Sequence, residues 1–447
     1  MFDVAIIGSG PAGIEAAREA GKYGLKAALV GEMPPGGRAA MGSLLPSKVW
    51  LHAAMSRSAG AAETGTADAA AITQEIRRTQ GAWTSGLAEE LEQLGVTFFR
   101  GTARITSPNT IVIHAREDEF EPNELKTRTI LLTTGSEPTF TETVRPDGER
   151  IIAPRHTQKL SEIPRHIVFA GGGVTGTEYA SAFARLGSRV EIFTRGKTLL
   201  RRGEPAAARF LTEHLEQELG VVIHRDQTVT DVSRRNGEVI TTSDGGTTIQ
   251  SEYAFIATGR HPDLSIIDHA ESDGSLSFER DEKDCLRTDE YGQTSVAGIY
   301  VAGDAAGGIL IANKATWEAR RAIRHIAGKD LRTLPAAEWA VEAVYTEPQA
   351  AWIGDVQRLP AAETTEIGIR ERPYSRLLLA HIDHAETGFF KIWYAKDSGA
   401  ILGASAAGSQ AAELLTPVQM AMHQGLSVEQ LAAIPAPHPT FSELVTH

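Results

Sequence analysis

The stretch "VAIIGSGPAGIEAA" (residues 4–17) decides the fold: an apolar strand, then Gly8, Gly10 and Gly13 in G-x-G-x-x-G spacing, then a helix opened by Pro11. A second stretch, "HIVFAGGGVTGTEYA" (166–180), repeats the pattern with Gly171, Gly173 and Gly176. Such a turn lets the backbone come close to a pyrophosphate, which then sits at the positive end of the helix dipole. Each opening has a matching closure further on. These are "ILLTTGSEP" (130–138), with Thr134 and Gly135, and "AFIATGRHP" (254–262), with Gly259. One G-x-G-x-x-G is a weak signal, but two in strand–turn–helix context with paired closures are strong. They imply a chain that binds two dinucleotides, and the simplest use for two is passing electrons between them.

The bulk numbers narrow the class. A length of 447 residues allows roughly three domains, each large enough for its own core. The net charge is −13, with Lys and Arg scattered rather than clustered, which argues against nucleic acid or an anionic membrane as partner. No apolar run reaches the ~18–20 residues of a spanning helix. The chain starts on its first strand without a basic leader, so no signal peptide is expected. A single cysteine, Cys285, excludes an internal disulfide and fits a cytoplasmic protein.

Along the chain, the first nucleotide unit runs over 1–150. An Ala-rich helical segment (about 48–95) interrupts it, with Leu87, Leu91 and Leu94 at helical spacing. The second unit covers 151–265, its first helix followed by "GSRVEIFTR" as the next strand of a βαβ. Residues 266–335 return through "GIYVAGD" (298–304) to a long helix from about Leu310 to Ala327, stopped by Gly328. Beyond 336 the mixed pattern of strands and helices reads as a separate α+β domain. "HIDH" (His381, Asp383, His384) is read as a solvated strand end, and no metal is expected, since tetrahedral sites need three or four clustered ligands.

Together these motifs resemble the flavoprotein disulfide reductases, the class I pyridine nucleotide-disulfide oxidoreductases that include dihydrolipoamide dehydrogenase. Both glycine loops, "TTGSEP", "ATGRHP", "GIYVAGD" and the C-terminal "HPTFSE" (438–443) occur in the family's order, from end to end. The resemblance implies an α/β protein with two doubly wound, Rossmann-like dinucleotide-binding domains and a C-terminal α+β dimerisation domain. FAD binding would fall to 1–150 and 266–335, NAD(P) binding to 151–265, and the homodimer interface to 336–447. FAD would lie on Gly8, Gly10 and Gly13, with Asp304 on its ribityl or phosphate portion. The helix near Leu310 and Ala312 would point its N-terminus at the flavin pyrimidine. Pro11, Gly37, Thr134, Gly135, Gly259 and Gly303 complete the cofactor-binding set. At the ribose position the family register puts Gly31, and Glu32, one residue later, is assigned that role.

One departure governs the chemistry. Where the family has "GGTCxxxxCxPSK", this chain reads "GGRAAMGSLLPSK" (36–48), so Ala39 and Leu44 occupy both redox-cysteine positions. Cys285, placed in a strand before "LRTDEYGQTSV", is remote from that loop and cannot compensate. Dithiol–disulfide exchange is excluded. By the resemblance, Lys48 lies beside flavin N5 and pairs with Glu178, a cation placed where negative charge develops as hydride arrives. Arg38, at a family threonine, is either a second cation beside the cofactor or an outward-facing surface arginine, the reading that the usual exposure of arginine favours. Val174 stands where several relatives carry a shielding tyrosine, which implies an open nicotinamide face.

For NAD an acidic residue should end "RVEIF" (189–193), but Thr194 stands there, followed by Arg195 and Lys197. A cation-rich loop without the acid suits a 2′-phosphate, so NADP(H) is expected in preference to NAD(H). His438 and Glu443 match the family's acid/base pair supplied by the partner subunit. The function expected is an FAD-dependent NAD(P)H oxidoreductase that passes electrons directly to a small oxidant such as a quinone. The alternatives are a soluble pyridine nucleotide transhydrogenase, an electron-transfer subunit that works with a redox partner protein, and a flavin-stabilised scaffold without turnover.

Overall fold

The structure, a computed structural model, describes residues 1–58, 68–115, 123–274, 276–282, 284–331 and 339–446. Residues 59–67 of the Ala-rich segment and the domain boundary expected near 336 lie outside the described residues. Internal contacts group the chain into two compact units. The first comprises Met1–Pro46, Gln74–Thr139 and Arg260–Ala337; the second comprises Ser47–Thr73, Phe140–Gly259 and Glu338–His447.

The first unit is built on strand Phe2–Ile7, which pairs in parallel with Ala27–Gly31 on one side and Asn123–Leu132 on the other. Thr97–Ser107 and Ile299–Val301 complete the parallel sheet at its two edges. Val4, Ala5 and Ile6 are fully buried, as expected of a central parallel strand covered on both faces. Side chains alternate between two cores. Val4, Ile6, Leu29 and Leu131 pack under helices Pro11–Lys22 and Ala312–Ile326, which approach closely through Ala16, Ala20, Ala315 and Ala319. Ala5, Ile7, Val30 and Leu132 face the other way, toward Ile105, Ile111 and Ile113 of an antiparallel ribbon. Leu87 and Leu91 are buried in the first of these cores, and Leu94 packs against it, as their spacing requires.

The second unit carries a parallel sheet in the order Val222–His224, Arg189–Phe193, His166–Ala170, Tyr253–Ile256, Ile151–Ile152. One face is closed by stacked rings, with Phe169 4.9 Å and Tyr179 4.7 Å from Phe255. Trp50, fully buried, lies 5.2 Å from Phe183, so this turn of the helix Leu44–Ser58 packs on the helix Val174–Arg185 that follows the second glycine loop. The C-terminal part of the unit is a five-stranded antiparallel sheet backed by helix Ala411–Gln424.

Three local expectations shift. The late helix begins at Ala312 and runs to Ile326, with Gly328 at φ +63° behind it. His381 lies in the short helix Leu378–Ile382, not at a strand end, because Ala380 of that turn is needed in the core. Cys285 sits in the irregular turn between Arg280 and Leu286, which pair as an isolated bridge, not within a strand. Among the described residues no helix is long and apolar enough to cross a membrane. No group of three or more His, Cys, Asp or Glu among them is placed to hold a metal ion.

Candidate functional site

The two glycine loops have the same stereochemistry. Gly8 and Gly171 both have φ +118°, a conformation that strains any L side chain. A Cβ on Gly13 would lie 1.8 Å from the Gly8 carbonyl oxygen, and one on Gly176 would lie 1.9 Å from that of Gly171. These glycines let helix and strand touch. The middle glycines differ: a Cβ on Gly10 or Gly173 would meet nothing within 4 Å. Each is the N-cap of its helix, at φ −75° and −79°, with no side chain capping the amides. Each loop therefore leaves bare space in front of uncapped helix N–H groups, the cradle that a dinucleotide pyrophosphate fits.

Around the first loop the expected residues converge. Gly37, at φ +55°, rests on it so closely that a Cβ there would be 2.8 Å from the Gly10 nitrogen. Gly31 is glycine for a reason of space, since a Cβ would fall 2.5 Å from Ser9 Oγ. Glu32 follows the strand and is exposed, with no ion-pair partner among the described residues. Thr134 Oγ1 donates to the Asp263 carbonyl at 2.6 Å, and Gly135 turns at φ +80°. Asp304 accepts 2.5 Å from Ser136 Oγ, and the Gly303 N–H donates to Glu318 at 2.8 Å. The helix at Ala312 has no capping side chain and no acid in its first turn, and Leu310 lies half-buried just before it. Arg38 is tied to Glu137 at 2.5 Å and Asp263 at 3.2 Å, and donates to the Ser136 carbonyl at 3.0 Å. Its charge is already balanced by two carboxylates.

In the second unit, Lys48 Nζ lies 2.7 Å from each oxygen of Glu178. Glu178 stands five residues past Gly173 and is buried at 4% side-chain exposure, whereas Lys48 keeps 33%. Sequence reading missed a third member, Tyr345. Its ring centroid is 4.4 Å from Nζ, and its backbone N–H donates to Glu178 Oε1 at 3.0 Å. The only signal was an aromatic in "AVYTEP", indistinguishable there from a core residue. Val174, at the start of the helix, is 41% exposed.

At the end of strand Arg189–Phe193, Thr194 is buried, its hydroxyl donating to the Thr198 carbonyl at 3.3 Å. Arg195 and Lys197 are exposed and have no carboxylate partner among the described residues. The acid nearest in sequence, Glu191, is consumed: its oxygens lie 3.0 Å from His166 Nε2, 2.8 Å from His224 Nε2 and 2.9 Å from Arg189. Near the C-terminus, His438 Nδ1 lies 3.0 Å from Glu443 Oε2 while Thr440 N–H donates 2.8 Å to the other oxygen. Glu443 is buried and His438 is 64% exposed, so the carboxylate orients the ring and leaves Nε2 outward.

The family described as "Pyridine nucleotide-disulphide oxidoreductase" matches residues 2–319, and its dimerisation domain matches 341–447. A dihydrolipoyl dehydrogenase 3 of Pseudomonas aeruginosa is 30% identical over 99% of this chain and 96% of its own length. One of Pseudomonas putida is 29% identical at the same coverage, and the dihydrolipoyl dehydrogenase of Chlorobaculum parvum is 29% identical over 100% and 96%. In fold the chain is similar to LpdA from Mycobacterium tuberculosis, with a TM-score of 0.90 and 24% identity over 100% of this chain and 98% of that one. The HOCl-induced flavoprotein disulfide reductase RclA of Escherichia coli gives 0.85 at 22% identity, covering 99% and 98%. The matched dimerisation domain supports a homodimer. With both nucleotide cradles and the family's two parts present, this chain belongs to the pyridine nucleotide-disulphide oxidoreductase family and is an FAD-dependent oxidoreductase of pyridine nucleotides.

Proposed function

We propose that this chain is an NADPH-preferring oxidoreductase that delivers electrons to a small, non-disulfide acceptor such as a quinone with no thiol relay. One observation carries the reading: Ala39 and Leu44 stand at both relay positions, while Lys48 and Glu178 still meet at 2.7 Å. Bound FAD supplies a two-electron carrier between nicotinamide and acceptor; the balance is NADPH + H⁺ + quinone → NADP⁺ + hydroquinone. With FAD bound, Lys48 would supply positive potential where charge develops on the ring, and Glu178 would fix its direction. His438, oriented by Glu443, donates the proton from Nε2 to the acceptor oxygen.

Preference for NADPH is supported by cations without carboxylates at Arg195 and Lys197, and by a Glu191 already bonded to three side chains. Changing Arg195 and Lys197 together to alanine is expected to lower kcat/KM for NADPH about tenfold or more and to leave NADH nearly unchanged. An equal loss for both cofactors would reject the assignment.

The reaction itself is tested by anaerobic stopped-flow mixing with NADPH, then with an oxidant panel. Bleaching of the flavin band followed by rapid recovery with benzoquinone is expected. Recovery only with thio-NAD would make the protein a transhydrogenase, recovery with lipoamide would overturn the thiol-free reading, and no bleaching would leave a scaffold.

A further inference from the structure

Lys48 has two neighbours of different kinds. Glu178, almost fully buried, takes Nζ at 2.7 Å through both oxygens, and the Tyr345 ring lies 4.4 Å from the same nitrogen. The backbone N–H of Tyr345 holds Glu178 Oε1 at 3.0 Å, so ring and carboxylate are set by one residue. Lys48 is a third exposed, and a long side chain at such a position gains rotamer entropy by swinging into water. A second carboxylate would prevent that, but would also cancel the positive potential that hydride transfer needs. An aromatic face attracts the ammonium without adding a negative charge. Tyr345 is itself 41% exposed, and its phenol, neutral at working pH, adds no charge of its own.

We propose that Tyr345 is a positioning residue for the hydride step: its ring pins the Lys48 ammonium against Glu178 and thereby sets the charge offered to the flavin. The assignment rests on the role given to Lys48 under the proposed function.

The test uses the FAD-loaded protein with Tyr345→Leu and Tyr345→Phe, each with Lys48 intact and with Lys48→Met. Two readouts are taken: the rate of flavin bleaching at saturating NADPH, and the equilibrium of bound flavin with a reference redox dye. With Lys48 present, Tyr345→Leu is expected to slow bleaching about two- to fivefold and to shift the dye equilibrium toward oxidised flavin by a similar factor. The KM for NADPH should stay unchanged, and Tyr345→Phe should recover most of the loss. With Lys48→Met, Tyr345→Leu should add nothing, because the two act as one unit.

A leucine variant with the parent rate and dye equilibrium overturns the proposal. So does an equal effect in the Lys48→Met background, or a phenylalanine variant as impaired as leucine. Should the leucine variant fail to fold, Tyr345→Met, of similar reach and without a π face, carries the same expectations. If NADPH fails to bleach even the parent protein, the proposed reaction falls while the dye equilibrium still decides the role of Tyr345.

Discussion

Glu191 lies inside its strand among His166, His224 and Arg189, and this arrangement makes its ionisation a stability term. Burial pushes its carboxyl up, but the bonds from His224 and His166 and the charge of Arg189 outweigh that, leaving it below its ordinary value of 4.5. A lowered folded pKa stabilises above the unfolded value, and that stability drains away as pH falls through the folded one. Glu191→Gln should therefore cost about 1–2 kcal/mol near neutral pH. The difference from the parent should narrow as pH falls below the ordinary value of 4.5 and close once the folded carboxyl takes its proton, as seen by thermal melting across the acid range. A constant gap at every pH would show that charge is not the cause. The same residue shows what sequence reading could and could not reach. Its place within the strand is legible: "RVEIF" puts it three residues before the strand-end position that Thr194 fills. Its three partners come from two neighbouring strands and its own, and no local pattern encodes them.

At the scale of elements, the glycine loops were legible because sterics are local: spacing, strand and helix all fall within about fifteen residues. Helix starts were less so, since Ile311 caps without a side-chain bond and offers no signature residue before Ala312. The trio of Lys48, Glu178 and Tyr345 was legible only in part. The lysine and glutamate, 130 residues apart, came from a family register, while Tyr345, 167 residues from Glu178, belonged to no motif. The loops also permit a separation of functions. In Gly176→Ala the new Cβ must displace the Gly171 carbonyl, 1.9 Å away, so the second cradle should fail. The purified variant should stay yellow and be reduced by dithionite, yet lose bleaching by NADPH at least tenfold. Colourless protein would mean that the change spreads beyond its own element.

For the whole molecule the decisive matter is how two copies share their parts. His438 keeps 64% exposure while Glu443, bonded to its Nδ1, is buried, so the ring edge turned from Glu443 is open to a second chain. Its catalytic target should then belong to the partner subunit. Lys48→Met and His438→Ala should each abolish most quinone reduction, by roughly a hundredfold for the proton donor. His438→Ala alone should leave flavin bleaching by NADPH intact. Co-expressed as a mixed dimer, the two variants should regain activity. One site then combines both defects, while the other combines Lys48 of one chain with His438 of the other. A mixed dimer as inactive as its parents would mean that each chain works with its own histidine.

The crowding between Gly31 and Ser9 has a consequence for descent. An acid at position 31 would need the serine hydroxymethyl at position 9 to move or be lost, because a Cβ there falls 2.5 Å from Ser9 Oγ and 2.7 Å from Ser9 Cβ. The order of mutation is thus constrained by epistasis. Glu32, one residue on, stands exposed and meets no such obstacle, so a carboxylate is accommodated there without any change at position 9.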